Sequence, residues 1–377
     1  MIGELQQPRI ALAHDWLVGK RGGELVLDRL AGLFGPTDLY TLVDNGVSIS
    51  EAISACRVVT SPLQRFPGAR GRLRRHYLPV FPWAVERLRV EPCDLLISTS
   101  SAVMKSIIPP DGTPHLCYCH APARYVWAQS DAYGSSAGTT GGRMRSLGLR
   151  AVRKRFRRWD CRTATRVTRF LANSRYIAGE IRRCFNRDAD VVYPPVATDY
   201  FTPDAATERQ DWLLVVSALE PYKRVDVAIE AANRTGTRLK VVGAGTQRAA
   251  LQSIAGPTVE MLGRVEGPAL RDLYRRARAL IYPQVEDFGI TAVEAQACGC
   301  PVVALEAGGA LDSVTDETGV FFSEPGIDGL CEGLRVLDSK RIDPAACRRN
   351  AERFSADVFD REIKRHVAEL LGTKHLV

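Results

Sequence analysis

Nowhere in the 377 residues does an apolar run approach the roughly 18–20 residues that a membrane-spanning helix requires. The opening MIGELQQP lacks the basic and apolar regions of a secretory signal, so no export is expected and the active site is expected to face the cytosol. No C-x-x-C pair is present either. The ten cysteines are scattered, and the two close pairs, Cys117/Cys119 and Cys298/Cys300, have the wrong spacing for zinc. Reduced, mostly buried thiols follow as the expectation. The composition also lacks the low hydrophobicity of a disordered chain. At 45% hydrophobic and 25% charged it is that of a soluble globular protein, long enough for two domains with separate cores.

Charge is abundant but unevenly placed. The net charge is +8, yet residues 143–187 hold 15 Lys/Arg against two acids, Asp160 and Glu180, so the rest of the chain is net acidic. Such asymmetry points to an anionic partner. From Leu149 the apolar residues Leu149, Val152, Phe156 and Trp159 fall at helical spacing with Arg or Lys at most other positions. A basic amphipathic helix of this kind suits an anionic membrane surface, and the same stripe would equally cover a core. A second basic and aromatic stretch spans 65–89, with Arg65, Arg70, Arg72, Arg74 and Arg75 ahead of Tyr77, Phe81 and Trp83. No nucleic-acid module accompanies the charge, so no nucleic-acid partner is expected.

Along the chain, strands and helices alternate. Ile10–Ala13 reads as a buried strand running into His14-Asp15-Trp16, followed by the glycine loop Gly22-Gly23 and a helix through Leu33. Further strands are expected at Asp94–Thr99, His115–Cys119, Arg169–Ala172 and Val191–Tyr193, with Asn173-Ser174 capping a helix from Arg175. Residues 194–210, rich in proline and polar groups, read as a linker. A second series follows: strands at Leu213–Leu219, Leu239–Val242, Val259–Leu262, Ala279–Tyr282 and Val302–Ala304, and a helix over Val225–Asn233. Apolar strands separated by helices imply parallel sheets covered on both faces. The expected fold class is therefore α/β, two facing Rossmann-like domains at 1–193 and 211–377, with the final helix left open to packing back on the first. Ligand is expected at the strand C-terminal ends, in the interdomain cleft.

The chemistry concentrates in 281–301, IYPQVEDFGITAVEAQACGCP. A strand ends, a loop carries Glu286-Asp287-Phe288-Gly289, and a helix begins near Ile290. Its N-terminus offers free N–H groups to a phosphate, and Gly289 lets the ligand approach the backbone. Glu286 and Glu294 are placed to bracket that ligand, since acceptor-only carboxylates suit sugar and ribose hydroxyls. Lys223 and Arg224, between a strand and a helix, are placed to neutralise a diphosphate leaving group. His120 follows an apolar strand, and from the residues alone a lone histidine of this kind is more often structural than catalytic. Arg264, after Gly263, and the turn at Gly243 are base-side edges by position alone, and Gly308-Gly309 is placed to close the phosphate site.

These residues resemble a known family. Glu286 and Glu294, with seven residues between them in this setting, are similar to the E-x7-E signature of retaining family 4 glycosyltransferases. HDWLVGKRGGE (14–24), CYCHAPARYVW (117–127), LANSRYIA (171–178) and SALEPYKRVDVAIEA (217–231) resemble segments of its mannosyltransferase-like branch. The resemblance implies a GT-B architecture and a nucleotide-sugar donor, with GDP-mannose first, and a metal-independent reaction without a cofactor. It also implies catalytic roles for His120, Glu286 and Lys223, with His120 touching the donor sugar. Donor contacts follow from Gly22, Gly23, Arg224, Arg264, Phe288, Gly289, Ile290 and Glu294. Many members carry an Arg where Ala218 stands, so Arg224 is the substitute cation.

If the basic region docks on a membrane, the acceptor is expected to be a lipid-linked (polyprenyl-diphosphate) saccharide, and the protein peripheral on the cytoplasmic face of the inner membrane. Two decoys are set aside. Asp188-Ala189-Asp190 matches the metal-binding D-x-D but reads as a polar turn before a strand. Gly243-Ala244-Gly245 starts a dinucleotide fingerprint, but Arg248 stands where the third small residue belongs. Other donors (GDP-fucose or a UDP-sugar), a nucleotide-sugar 2-epimerase and a non-catalytic nucleotide-sugar-binding subunit remain as alternatives.

Overall fold

The structure, a computed structural model, describes residues 8–19, 22–127 and 140–372, with all their side chains except those of 72, 75, 125 and 140–151. The chain divides into two compact units: Met1–Tyr193 with Asp360–Val377, and Pro194–Phe359.

The first unit is built on seven parallel strands: β1 Ile10–Leu17, β2 Asp38–Asp44, β3 Arg57–Thr60, β4 Leu95–Ser100, β5 His115–Cys119, β6 Arg169–Ala172 and β7 Ala189–Val191. Their order is β3-β2-β1-β4-β5-β6-β7. Strands β4 and β5 are buried at every residue, which is why neither shows a regular alternation of apolar and polar positions. The second unit holds β8 Leu213–Val216, β9 Leu239–Val242, β10 Val259–Gly263, β11 Ala279–Tyr282, β12 Val302–Leu305 and β13 Gly319–Phe322, all parallel, in the order β10-β9-β8-β11-β12-β13. Each sheet reverses its winding once, at β1/β4 and at β8/β11. In open parallel sheets ligands bind at such points, outside the strand C-termini.

Several boundaries differ from expectation for physical reasons. β1 continues to Leu17, so His14, Asp15 and Trp16 lie within the strand. β8 stops at Val216 because the chain beyond it runs against the β9 turn: a Cβ on Gly243 would stand 1.8 Å from the Ser217 carbonyl oxygen. β7 covers Ala189–Val191 rather than 191–193, so Asp190 sits in an edge strand instead of a turn ahead of one. Ser174 caps the Arg175–Phe185 helix by accepting from Ile177 N at 3.1 Å.

Residues 194–210 are tied into the second unit. Val196 N donates to Phe354 O at 2.9 Å, Arg348 Nη1 to Thr198 O at 2.7 Å, and Arg275 Nε to Thr202 O at 2.7 Å. The Ala356–Leu371 helix carries residues of both units. Asp360 accepts from Arg29 at 2.7 Å and His366 from Arg169 at 3.0 Å, both within the first unit.

The basic helix spans Thr140–Thr163. Its Phe156 and Trp159 are buried in the core of the first unit, while Val152 is 40% exposed. Of the stripe, Phe156 and Trp159 thus face the core and Val152 faces solvent, and Leu149 lies outside the described side chains. Among the described residues no helix is long and apolar enough to cross a membrane. All ten cysteines are unpaired, eight of them buried.

Candidate functional site

In the first unit, polar side chains gather at the β1/β4 switch. Asp15, fully buried, accepts backbone hydrogen bonds from Ser101, Ala102, Val103 and Met104 at 2.6–2.9 Å, fixing the loop after β4. Beside it His14 Nδ1 lies 2.6 Å from Thr99 Oγ1, and His14 Nε2 lies 4.0 Å from Glu24 Oε1. Burial pushes the His14 imidazolium down to about 4, so the ring is neutral at pH 7.

His120 follows β5 and is held by its backbone. Its N–H donates to Ser100 O at 2.8 Å and its carbonyl accepts from Asn173 Nδ2 at 3.1 Å. Burial, then the neighbouring His14, lowers its pKa to about 3. Its Nε2 is enclosed and has no hydrogen-bond partner among the described residues. A buried ring nitrogen left unmatched is costly unless something binds there. Gly23 explains the space around it. A Cβ at this position would stand 3.5 Å from His14 Cε1 and 3.6 Å from His120 Nε2, covering both rings. Gly22 opens the Gly22–Phe34 helix, exposed, while residues 20–21 lie outside the described set.

In the second unit, Lys223 follows β8 and Glu286 follows β11, the two strands of the switch point. Lys223 Nζ donates to Glu286 Oε1, both side chains being about one-sixth exposed (16% and 14%), and Gln284 Nε2 approaches the same oxygen at 3.3 Å. Gly289, with φ +101°, turns the chain into the Ile290–Ala297 helix, which no side chain among the described residues caps. Its first N–H groups therefore keep their capacity for an anion. The loop before it is closed by backbone: Gly309 N donates to Glu286 O at 2.8 Å, and a Cβ on Gly309 would be 2.3 Å from Phe288 Cα. Only glycine allows that approach.

The remaining expected residues divide. Phe288 turns inward, buried, with its ring 5.2 Å from Phe354, so its side chain belongs to the core and its backbone to the loop. Arg224 takes a left-handed conformation (φ +49°), uncommon for a side-chain-bearing residue and a frequent mark of functional loops. Its exposed guanidinium lies beside Asp226 at 3.4 Å, whereas Lys223 is the cation in contact with Glu286. Arg264 is exposed and paired with Glu266 at 2.5 Å. Glu294 accepts from Tyr274 Oη at 2.9 Å, and burial raises its carboxyl to about 7 against the pull of that hydrogen bond. Sequence reasoning missed Thr99, Tyr274 and Gln284 as partners. Among the described residues no cluster of three or more His, Cys, Asp or Glu could hold a metal ion.

Comparison with known proteins supplies the family. Residues 198–354 match the model of "Glycosyl transferases group 1", and residues 33–200 match that of "Glycosyltransferase Family 4". The chain belongs to the family 4 glycosyltransferases.

Curated relatives similar to this family 4 glycosyltransferase include the D-inositol 3-phosphate glycosyltransferase of Mycobacteroides abscessus, 33% identical over 173 residues (40% of this chain, 39% of that protein). Another is the GDP-mannose-dependent alpha-mannosyltransferase of Mycolicibacterium smegmatis, 30% identical over 189 residues (47% and 50%). The chain thus matches half or less of these relatives' length. Among solved structures, sucrose-phosphate synthase of Thermosynechococcus elongatus superposes with a TM-score of 0.71 at 17% identity, covering 97% of this chain and all of that one. Anabaena HepE in complex with UDP and glucose superposes at 0.67 and 15%, covering 96% and 100%. At these identities the likeness is one of fold, two parallel-sheet Rossmann-like domains of the GT-B type.

Proposed function

We propose that this family 4 glycosyltransferase transfers a hexose with retention from a nucleoside diphosphate donor, GDP-mannose first, to a lipid-linked saccharide. The observation that carries the reading is the Lys223–Glu286 pair at the β8/β11 switch point, beside the uncapped helix N-terminus at Gly289. Without donor, the cation is held by the carboxylate. With donor, Lys223 and the N–H groups after Gly289 take the diphosphate, and Glu286 is released to the sugar hydroxyls. Glu294 takes the ribose diol.

In the reaction the bond between C1 and the β-phosphate oxygen breaks, and an acceptor hydroxyl oxygen forms the new bond to C1 from the same face. The departing phosphate accepts the hydroxyl proton, so no protein nucleophile is assigned. Lys223 stabilises charge as it develops on that phosphate, which is where preorganised electrostatics accelerate a reaction most. His120 contributes its open Nε2 to the donor sugar. GDP-mannose is supported by the mannosyltransferase segments of the sequence and by relatives whose names specify that donor. The lipid-linked acceptor is supported by the basic region, where Lys154, Arg155, Arg158 and Arg162 are exposed.

A thermal-shift screen of the purified chain against GDP-mannose, GDP-fucose, UDP-glucose and UDP-N-acetylglucosamine tests the donor. A ligand bound only by the folded state at a hundredfold its Kd adds about 2.7 kcal/mol. A shift with GDP-mannose is expected. A shift with a UDP-sugar alone overturns the mannosyl assignment, and no shift with any donor overturns the transferase reading.

A further inference from the structure

The turns that end β9 and β10 are tied together, Gly243 N donating to Gly263 O at 2.7 Å. Gly263 is left-handed (φ +72°), and over it lies the first side chain of the Arg248–Ile254 helix. Arg248 Nη1 is 3.2 Å and Nη2 3.9 Å from where a Cβ on Gly263 would stand. A side chain at 263 would displace the guanidinium, so this glycine admits Arg248 as well as the turn.

Two arginines reach this corner in different states. Arg264 is neutralised by Glu266. Arg248 is exposed, and among the described residues no acid or acceptor engages its guanidinium. It therefore presents an uncommitted planar fork of donors at the C-terminal edge of the sheet.

What such a fork reads depends on where a ligand would lie. The inference rests on the reading above, with the diphosphate at Lys223 and Gly289. Toward β12 the Gly308-Gly309 backbone packs directly against the Glu286–Phe288 loop. Toward β9 and β10 the edge is open, and adjacent strands are about 4.8 Å apart, so β10 lies about 10 Å from β8. That is the span of a ribose and a base.

We propose that Arg248 selects the donor's base, donating a bidentate pair to O6 and N7 of a 6-oxopurine. Guanine and hypoxanthine present two acceptors on that edge. Adenine replaces O6 with an amino donor, and a pyrimidine has no N7. The residue that breaks the dinucleotide fingerprint is thus the residue that sets nucleotide choice.

Calorimetric titration of the full chain with GDP, IDP, ADP and UDP tests this, comparing wild type with Arg248→Ala and Arg248→Lys. Wild type is expected to bind GDP and IDP at least about tenfold more tightly than ADP or UDP, the discrimination typical of a bidentate arginine–purine pair. Arg248→Ala should lose that preference and keep the weaker diphosphate affinity common to all four. Arg248→Lys should retain charge and show a weaker preference than wild type, because an ammonium has no planar fork. Melting curves establish that each variant is folded. An unchanged preference in Arg248→Ala overturns the assignment while leaving the donor reading intact; a wild type that favours UDP or ADP overturns the assignment and the GDP-mannose donor with it. Wild type binding none of the four overturns both.

Discussion

Glu294 carries a pH dependence that can be worked through. Burial raises its carboxyl from 4.5 to about 7, and Tyr274 Oη is its hydrogen-bond donor at 2.9 Å. The folded state therefore holds this proton more tightly than the unfolded chain does, and stability falls as pH rises between those values. A shift of that size amounts to about 3 kcal/mol in full, of which about 2 kcal/mol is lost between pH 5.5 and pH 8. Glu294→Gln removes the titration. Urea unfolding at the two pH values should show the wild type losing about 2 kcal/mol relative to the variant on going to pH 8. The same group couples to donor. A ribose diol calls for the ionised carboxylate, and the ionised fraction rises about tenfold from pH 6 to pH 8. GDP-mannose, whose doubly substituted phosphates have no proton that titrates in this range, should bind correspondingly more tightly at pH 8, and the variant should show weak, pH-independent binding. A stability difference that is equal at both pH values would refute the reasoning.

Other consequences are as direct. Glu286→Ala should abolish turnover, below about one-hundredth of wild type, yet bind GDP at least as well, because Lys223 loses its resting partner; a large loss of GDP binding in the same titration would reverse the division of labour. Lys105 and Asp160 form a buried ion pair at 2.8 Å, 2% and 0% exposed. Lys105→Met should destabilise by about 3–5 kcal/mol in urea unfolding, with much of it recovered in Lys105→Met/Asp160→Leu; a loss under about 1 kcal/mol would show the pair to be dispensable. Replacing exposed Lys154, Arg155 and Arg158 by Ala should weaken binding to anionic vesicles by about 1 kcal/mol per charge and spare activity on a soluble acceptor analogue. Unchanged vesicle binding would leave the Thr140–Thr163 helix a packing element only.

How far the sequence revealed all this followed from locality. β5, β6, β9 and β11 were legible to the residue because each is a short apolar run bounded by polar or turn residues. β3 and β13 were not: β3 is a four-residue edge strand with no fully buried side chain, and β13 begins at a glycine that reads as part of a turn. Glu286, Gly289 and Lys223 could be found because a loop and its following helix announce a phosphate seat within a few residues. His14 with Thr99 could not, since the contact spans 85 residues. The stripe at 149–159 was ambiguous in principle: a core and a membrane ask for the same period, and Phe156 and Trp159 proved to face the core. Arg248 was visible only as a defect in a fingerprint until folding laid it over Gly263.

The central claim is tested most directly by following GDP-mannose with the purified enzyme, with and without a polyprenyl-diphosphate-linked saccharide. Acceptor-dependent release of GDP is expected, one equivalent per new α-linked mannosyl unit, lost in Lys223→Ala and Glu286→Ala. Conversion of GDP-mannose to an epimerised nucleotide sugar without acceptor, or binding of GDP-mannose without any turnover, would contradict it.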